Sequence, residues 1–254
     1  MKIISLNTWG RAGKEELLTF FKNHKNDTDI FCLQEIWSAS YEHLESMSVG
    51  GKAIEHSNIL VHVLQEISTL LPEHIPYFRL HHLDNYGLLM LVHKKYNTLQ
   101  EGGFFVHKHK GYIPLGDVGN HARNIQFVTL EHNTAPLTII NFHGLWNGKN
   151  KEDSNDRLVQ SKNILAFTNA LTNDFVFCGD FNLLPTTQSI HMLEDSGMRN
   201  LIVENNISST RTSHYTKPEK FADYIFVTEG ISVVDFKVLP DEISDHSPLY
   251  LEIA

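Results

Sequence analysis

The sequence predicts an α/β (α+β) fold of four layers, an αββα sandwich in which two mixed β-sheets pack face to face and helices flank them, over a single domain of residues 1–254. Two observations carry this. Short apolar runs of strand length alternate along the chain with segments of helical periodicity. The 254 residues, 41% hydrophobic and 20% charged, can bury a large core, and no Pro/Gly/Ser-rich linker, charge block or internal repeat divides them.

Residues 2–8 read as a strand, 14–23 as a helix with Leu17, Leu18 and Phe21 on one face, and 29–36 as a second strand. In residues 58–71, Ile59, Leu60, Val63, Leu64, Ile67, Leu70 and Leu71 stand at helical spacing, and Pro72 stops them. Residues 77–83, 87–93, 99–107, 123–131 and 137–142 follow as strands, the last pair joined by the turn His132-Asn133-Thr134-Ala135. Residues 153–171 put Leu158, Ile164, Leu165, Phe167 and Leu171 near one helical face behind an acidic first turn. A continuous apolar strand at 175–178 leads to a helix at 189–195, paired strands at 221–227 and 233–239, and a last strand at 249–253.

No stretch approaches the ~18 to 20 apolar residues needed to cross a bilayer. The opening Met1-Lys2-Ile3-Ile4-Ser5-Leu6 turns polar at Asn7, too short for a signal-peptide core and without a small-residue cleavage site. A soluble, monomeric, cytoplasmic protein is expected. Cys32 and Cys178, the two cysteines, each sit inside a predicted buried strand and read as small apolar residues, with a disulfide between neighbouring strands as the alternative. A formal charge of -9 argues against sequence-blind adhesion to nucleic acid, although part of it belongs to carboxylates that a cation would neutralise.

The chemistry gathers at strand ends. Gly179-Asp180-Phe181-Asn182 closes the run Phe175-Val176-Phe177-Cys178, so Asp180 and Asn182, on the same side of an extended segment, suit one phosphate, one metal or one attacking water. The plain alternative is an Asx turn. Asn7 after the first strand reads as a turn former or as an amide that orients a metal-bound water, a metal or a phosphate. Glu35 follows five apolar or neutral residues, where a carboxylate needs a cation or a basic partner. If their two strands are parallel neighbours, Asn7 and Glu35 share one crevice. Asp223 interrupts a strand pattern and calls for a partner, which His246 supplies. Ser244-Asp245-His246-Ser247-Pro248 is either a polar turn or a pair with separate tasks, Asp245 for a cation and His246 for a phosphoryl oxygen. His143 at a strand end is a further acid/base candidate. His81-His82 and His107-Lys108-His109 could ligate a transition metal, but nothing stands at structural-zinc spacing, and residues 108–110 read as a solvated loop.

In order, and over nearly the whole chain, these segments resemble the endonuclease/exonuclease/phosphatase (deoxyribonuclease-I-like) superfamily of metal-dependent phosphoesterases. The resemblance implies Glu35 as principal Mg²⁺ ligand, assisted by Asn7 and Asp245, with Mn²⁺ as a substitute. It implies Asp180 to align or deprotonate the water, Asn182 to hold it or a phosphate oxygen, and His246, oriented by Asp223, to bind the scissile phosphate. His143 resembles the second acid/base histidine, Arg123 a phosphate-contacting arginine, and Tyr86 a tyrosine that touches phosphate. The implied reaction is in-line attack of water on a phosphodiester, with nucleic acid the favoured substrate.

Departures narrow the branch. The stretches Leu183-Leu184-Pro185 and Ala222-Asp223-Tyr224 lack the arginines of inositol-polyphosphate phosphatases, and Lys217-Pro218-Glu219-Lys220 lacks the Trp-rich approach of abasic-site endonucleases. Leu6-Asn7-Thr8-Trp9-Gly10 and Glu35-Ile36-Trp37 resemble neutral sphingomyelinases, which makes a phospholipid or small phosphoester the alternative substrate. Gly102-Gly103-Phe104-Phe105-Val106 is the one segment fit to be a membrane hairpin, and it also reads as a strand. For a nuclease, Trp9 or Trp146 beside Arg123 would hold a strand. A catalytically silent binding module is the alternative of another class, set against eight site residues kept together.

Overall fold

The computed structural model describes residues 1–10, 13–39, 46–49, 52–53, 55, 57, 59–81, 84–112 and 114–254. In chain order they form β1 (Lys2–Asn7), α1 (Lys14–His24), β2 (Ile30–Trp37), β3 (Ser48–Val49), β4 (Lys52–Ala53), α2 (Val63–Leu70), β5 (His74–Leu80), β6 (Tyr86–His93), β7 (Thr98–His107), β8 (Arg123–His132) and β9 (Ala135–His143). Then come α3 (Asn155–Thr168), β10 (Phe175–Asp180), α4 (Gln188–Asp195), β11 (Arg199–Asn200), α5 (Leu201–Glu204), β12 (Asp223–Val227), β13 (Val233–Val238) and β14 (Leu249–Ile253).

One six-stranded sheet runs β13-β14-β1-β2-β6-β5 and the other β11-β12-β10-β9-β8-β7. Both are mixed: β1 is parallel to β2 and β10 to β9, and the other neighbours are antiparallel. Strand alternation sorts the apolar side chains of the first sheet into two layers. Ile3, Ile30, Cys32, Met90 and Val92 share a core with the second sheet, whereas Ile4, Leu6, Phe31, Leu33, Leu89 and Leu91 turn outward onto Leu17, Phe20 and Phe21 of α1 and Val63 and Ile67 of α2. Ile164 of α3 and Ile190 and Leu193 of α4 close the far side. Burying each such side chain contributes roughly 1.5–3 kcal/mol, and the result is the four-layer sandwich that the periodicities predict.

The 132–135 turn forms as expected, with Asn133 at φ 48° and Thr134 at φ 67°, the two left-handed residues of a tight hairpin. Residues 102–106 lie in β7, paired with β8. Three expectations change. The helix expected over 58–71 starts at Val63 among the described residues, and Asn58 lies outside them. The strand expected over 77–83 spans His74–Leu80, with His82 and Leu83 also outside. Most consequentially, β12 and β13 do not pair: β12 joins β10 and β11 while β13 joins β14 in the other sheet. Their patterns show why. Every residue of β12 is buried, as befits a central strand, whereas β13 buries only Phe236, as befits an edge. Cys32 and Cys178 are free buried thiols, so the disulfide alternative falls. Among the described residues no helix is long and apolar enough to cross a membrane.

Candidate active site

The parallel pairs β1/β2 and β9/β10 end at the same edge of the sandwich, and the antiparallel strands β6, β8 and β12 begin there. That edge therefore collects Asn7, Glu35, His143 and Asp180 from strand C-termini and Tyr86, Arg123 and Asp223 from strand N-termini. In the second sheet the register sets Asp180 directly between His143 on β9 and Asp223 on β12. Gly179 permits this close approach: its φ is +145°, and a Cβ there would lie 2.0 Å from the carbonyl oxygen of Phe142.

Glu35 arrives by a different route. Strict alternation would send it outward after Leu33, into the helix-covered layer. A bulge between Leu33 and Ile36 instead puts Glu35 at φ +61° and re-aims it into the crevice. Beneath it, buried Gln34 donates to Asn141 Oδ1 at 2.7 Å, Asn141 donates to Gln126 Oε1 at 3.1 Å and to the Leu33 carbonyl at 3.1 Å, and Gln126 donates to the Tyr77 carbonyl at 2.7 Å. This polar ladder ties the two sheets together under the site.

The amide of Asn7 donates to Glu35 Oε1 at 3.1 Å and to Asp180 Oδ2 at 2.9 Å, while its oxygen accepts from the Trp9 amide at 2.8 Å. The residue assigned from sequence as a metal ligand thus presents its NH₂ to the carboxylates in this arrangement. Burial, opposed by that bond and reinforced by Asp245 and Asp180, pushes the Glu35 carboxyl up to about 7. Asn182 reaches Asp180 differently from the expected extended spacing: at φ +55° its own N–H donates to Asp180 Oδ1 at 2.9 Å, so an Asx turn brings the two side chains together.

His246 Nδ1 lies 2.8 Å from Asp223 Oδ1, and Thr210 Oγ1 donates to Asp223 Oδ2 at 3.1 Å. The other ring nitrogen, Nε2, faces Asp180 Oδ2 at 3.6 Å and Asp245 Oδ1 at 3.7 Å. Burial pushes the imidazole down, to about 3, and the Asp223 carboxyl up, to about 6. Ser244 accepts from the His246 N–H and donates to the Asn7 carbonyl at 2.7 Å, fastening this loop to β1. His143 Nε2 sits 3.7 Å from Asp180 Oδ2, and burial, followed by Arg123, holds its pKa well below the ordinary histidine range. Arg123 is buried, donates to the Gly119 carbonyl at 2.8 Å and leaves Nε and Nη1 without a partner. The Tyr86 ring packs on Trp37 at 4.7 Å and on His121 at 5.7 Å.

All ten side chains singled out from sequence reach this edge. His81 is nearby, bonded to Asn124 Oδ1 and packed 5.5 Å from the His143 ring, and His82 lies outside the described residues. Lys108 and His109 are exposed, as expected of a solvated loop. Two site residues are absent from the sequence reading. Lys151 is buried, with Nζ 3.4 Å from Asn182 Oδ1, and Arg211 pairs with Asp245 Oδ2 at 3.3 Å. Burial first, then Arg211, lowers the Lys151 ammonium to about 7. Both stand in polar loops with no periodicity or motif to mark them.

The arrangement offers groups that could hold a metal ion. Ligand atoms of Asp180, Asp223 and His246 lie within 4.8 Å of one another, and Asp245 Oδ1 is buried with no hydrogen-bond donor. An undonated buried carboxylate oxygen beside a carboxyl raised by burial is the electrostatic signature of a place for positive charge.

Among curated proteins none matches the chain by sequence. Solved structures do match. An endonuclease/exonuclease/phosphatase family protein from Leptotrichia buccalis has a TM-score of 0.75 at 17% identity, covering 100% of this chain and 99% of that one. A mannosyl-6-phosphatase from Bacteroides thetaiotaomicron has 0.71 at 15%, covering 100% and 99%. TDP2 from D. rerio, complexed with a single-strand DNA product, has 0.70 at 15%, covering 100% and 98%. At these identities the likeness is one of fold. The sequence model of the Endonuclease/Exonuclease/phosphatase family, however, matches residues 4–246, and this chain belongs to that family.

Proposed function

We propose that this protein is a divalent-metal-dependent phosphoric ester hydrolase whose water attacks phosphorus in line. The observation that carries the proposal is the convergence of Glu35 and Asp180 on the Asn7 amide, with Asp245 and the Asp223–His246 pair gathered at Asp180 through His246 Nε2 and one Asp245 oxygen left undonated. Glu35 and Asp245, with Asn7 after rotation of its amide, would hold the cation, and an all-oxygen set would favour Mg²⁺ or Mn²⁺ over zinc. When bound, the cation supplies charge balance for the phosphoryl and leaving oxygens.

The protein's own groups do the rest. Asp180, its Oδ1 fixed by the Asn182 N–H, aligns the water and takes its proton through Oδ2. Asn182 holds a phosphoryl oxygen or the water. His246, fixed by Asp223, turns Nε2 to the phosphoryl group, whose negative charge favours the imidazolium and its N–H donor. His143 serves as the second acid/base group, and Arg123, with two unpartnered donors, binds a phosphoryl oxygen beside Tyr86.

Nucleic acid is the first substrate class. Lys217 lies 4.9 Å over the Trp146 ring in the loops after β9 and before β12, an aromatic and cationic rim suited to a strand. A small phosphoester is the second, since the family also holds phosphatases. The free buried thiols accord with a reducing compartment, the cytoplasm, and the protein acts as a monomer in this reading.

Hydrolysis of single- and double-stranded DNA, RNA, sphingomyelin and bis-p-nitrophenyl phosphate, with Mg²⁺, Mn²⁺ or chelator and with Glu35→Gln as control, tests the proposal. Cleavage abolished by chelator and by the variant is expected. Turnover that survives both overturns the site.

A further inference from the structure

Lys151 and Arg211 remain unexplained by a site that needs only carboxylates, histidines and a phosphate-binding arginine. They come from the loop after β9 and the loop before β12, and both are held in place. The Lys151 carbonyl accepts from the Leu184 N–H at 2.9 Å. Arg211 pairs in β fashion with His246, and its neighbour Thr210 bonds Asp223. Tyr215 lids them, its ring 4.1 Å from the Arg211 guanidinium and 5.7 Å from Lys151 Nζ.

Arg211 compensates Asp245 yet keeps a buried Nε with no acceptor. Lys151 has no carboxylate within ion-pair distance among the described residues, and its one side-chain bond is the long contact to Asn182. A buried ammonium beside a guanidinium is costly unless an anion joins them. If the pair served only to neutralise the site carboxylates, Lys151 would be expected to touch one. Across the crevice, Arg123 leaves two more donors unpartnered.

A phosphodiester presents two non-bridging oxygens and one negative charge, whereas a terminal phosphoryl group presents three oxygens and up to two charges. A terminal phosphoryl group therefore offers the donors on both flanks one more oxygen and up to one more negative charge than a diester does. Resting on the phosphoesterase reading of this same site, we infer that Lys151 and Arg211 form a subsite for the third oxygen of a terminal phosphoryl group, so that the preferred substrate is a phosphomonoester dianion. Its organic part is either a small molecule or the phosphorylated end of a nucleic acid.

The test compares kcat/KM on p-nitrophenyl phosphate and on a 5′-phosphorylated oligonucleotide with that on bis-p-nitrophenyl phosphate, in wild type, Lys151→Met and Lys151→Arg. Lys151→Met should lower the monoester-to-diester ratio by about tenfold or more, the scale of one charged hydrogen bond, and Lys151→Arg should restore it. The two monoesters show which source supplies the phosphoryl group. A ratio within about twofold of wild type in Lys151→Met overturns the subsite. Binding of inorganic phosphate, read by calorimetry in Mg²⁺, gives a readout without turnover: wild type should bind about tenfold or more tighter than Lys151→Met, and equal affinity overturns the inference. If wild type cleaves no ester, the hydrolase proposal fails on its own, and phosphate binding still decides the subsite.

Discussion

Asn7 Nδ2 lies 2.9 Å from Asp180 Oδ2, a hydrogen bond that crosses 173 positions of sequence and joins the last residue of β1 in one sheet to the last residue of β10 in the other. The same amide holds Glu35 at 3.1 Å. One neutral donor therefore stands between two carboxylates that repel each other.

Replacing Glu35 by Gln should lower metal-dependent hydrolysis by about 10²-fold or more, the scale seen when a preorganised electrostatic group is lost. Initial rates measure this. Thermal melts add a second signature. Mn²⁺ at one hundred times its Kd should stabilise the wild type by about 2.7 kcal/mol, and the variant by far less. In chelator at pH 8 the variant should melt no lower than the wild type, because it removes a carboxylate that burial disfavours.

Gly179→Ala should cost about 3 kcal/mol or more in urea denaturation. The added Cβ would meet the Phe142 carbonyl at 2.0 Å and would sit at φ +145°, so β10 and β9 must separate. Hydrolysis should fall with it, because the His143–Asp180 register depends on that pairing.

Asn141→Leu should cost roughly 1–3 kcal/mol, since Gln34 and Gln126 would be left buried without their shared partner. Gln34→Leu should cost less in the Asn141→Leu background than in the wild type, the non-additivity expected of one network. A double-mutant cycle by denaturant titration gives both values.

His107, buried at the end of β7 opposite Arg123 and held down to about 4 by burial, sets a pH dependence of stability. Unfolded, it titrates near 6.5, so between about pH 6.5 and 4 the unfolded chain binds the extra proton. Its stability contribution is complete above pH 6.5 and is lost as pH falls toward 4. Melting temperatures across that window should drop more steeply in wild type than in His107→Gln.

Much of this was legible in the chain. Apolar periodicity determined which segments are strands and helices, because side-chain burial follows the period of the local backbone, and the residues that interrupt apolar runs at strand ends, Asn7, Glu35, Asp180 and Asp223, marked the edge where they meet. Strand partners were not legible. The burial of β12 and the exposure of β13 depend on neighbours that alternation does not name. Nor does sequence periodicity place Glu35: the left-handed bulge that turns it from the helix layer into the crevice is held by Gln34 and Asn141 from opposite sheets. Lys151 and Arg211 share that origin, since a cation in a polar loop reads as solvated until the packing of two distant loops buries it. The elements and the chemical groups at their ends are local properties and can be read along the chain. Pairing, register and the burial of charge were decided only by the tertiary structure, because each depends on groups remote in sequence.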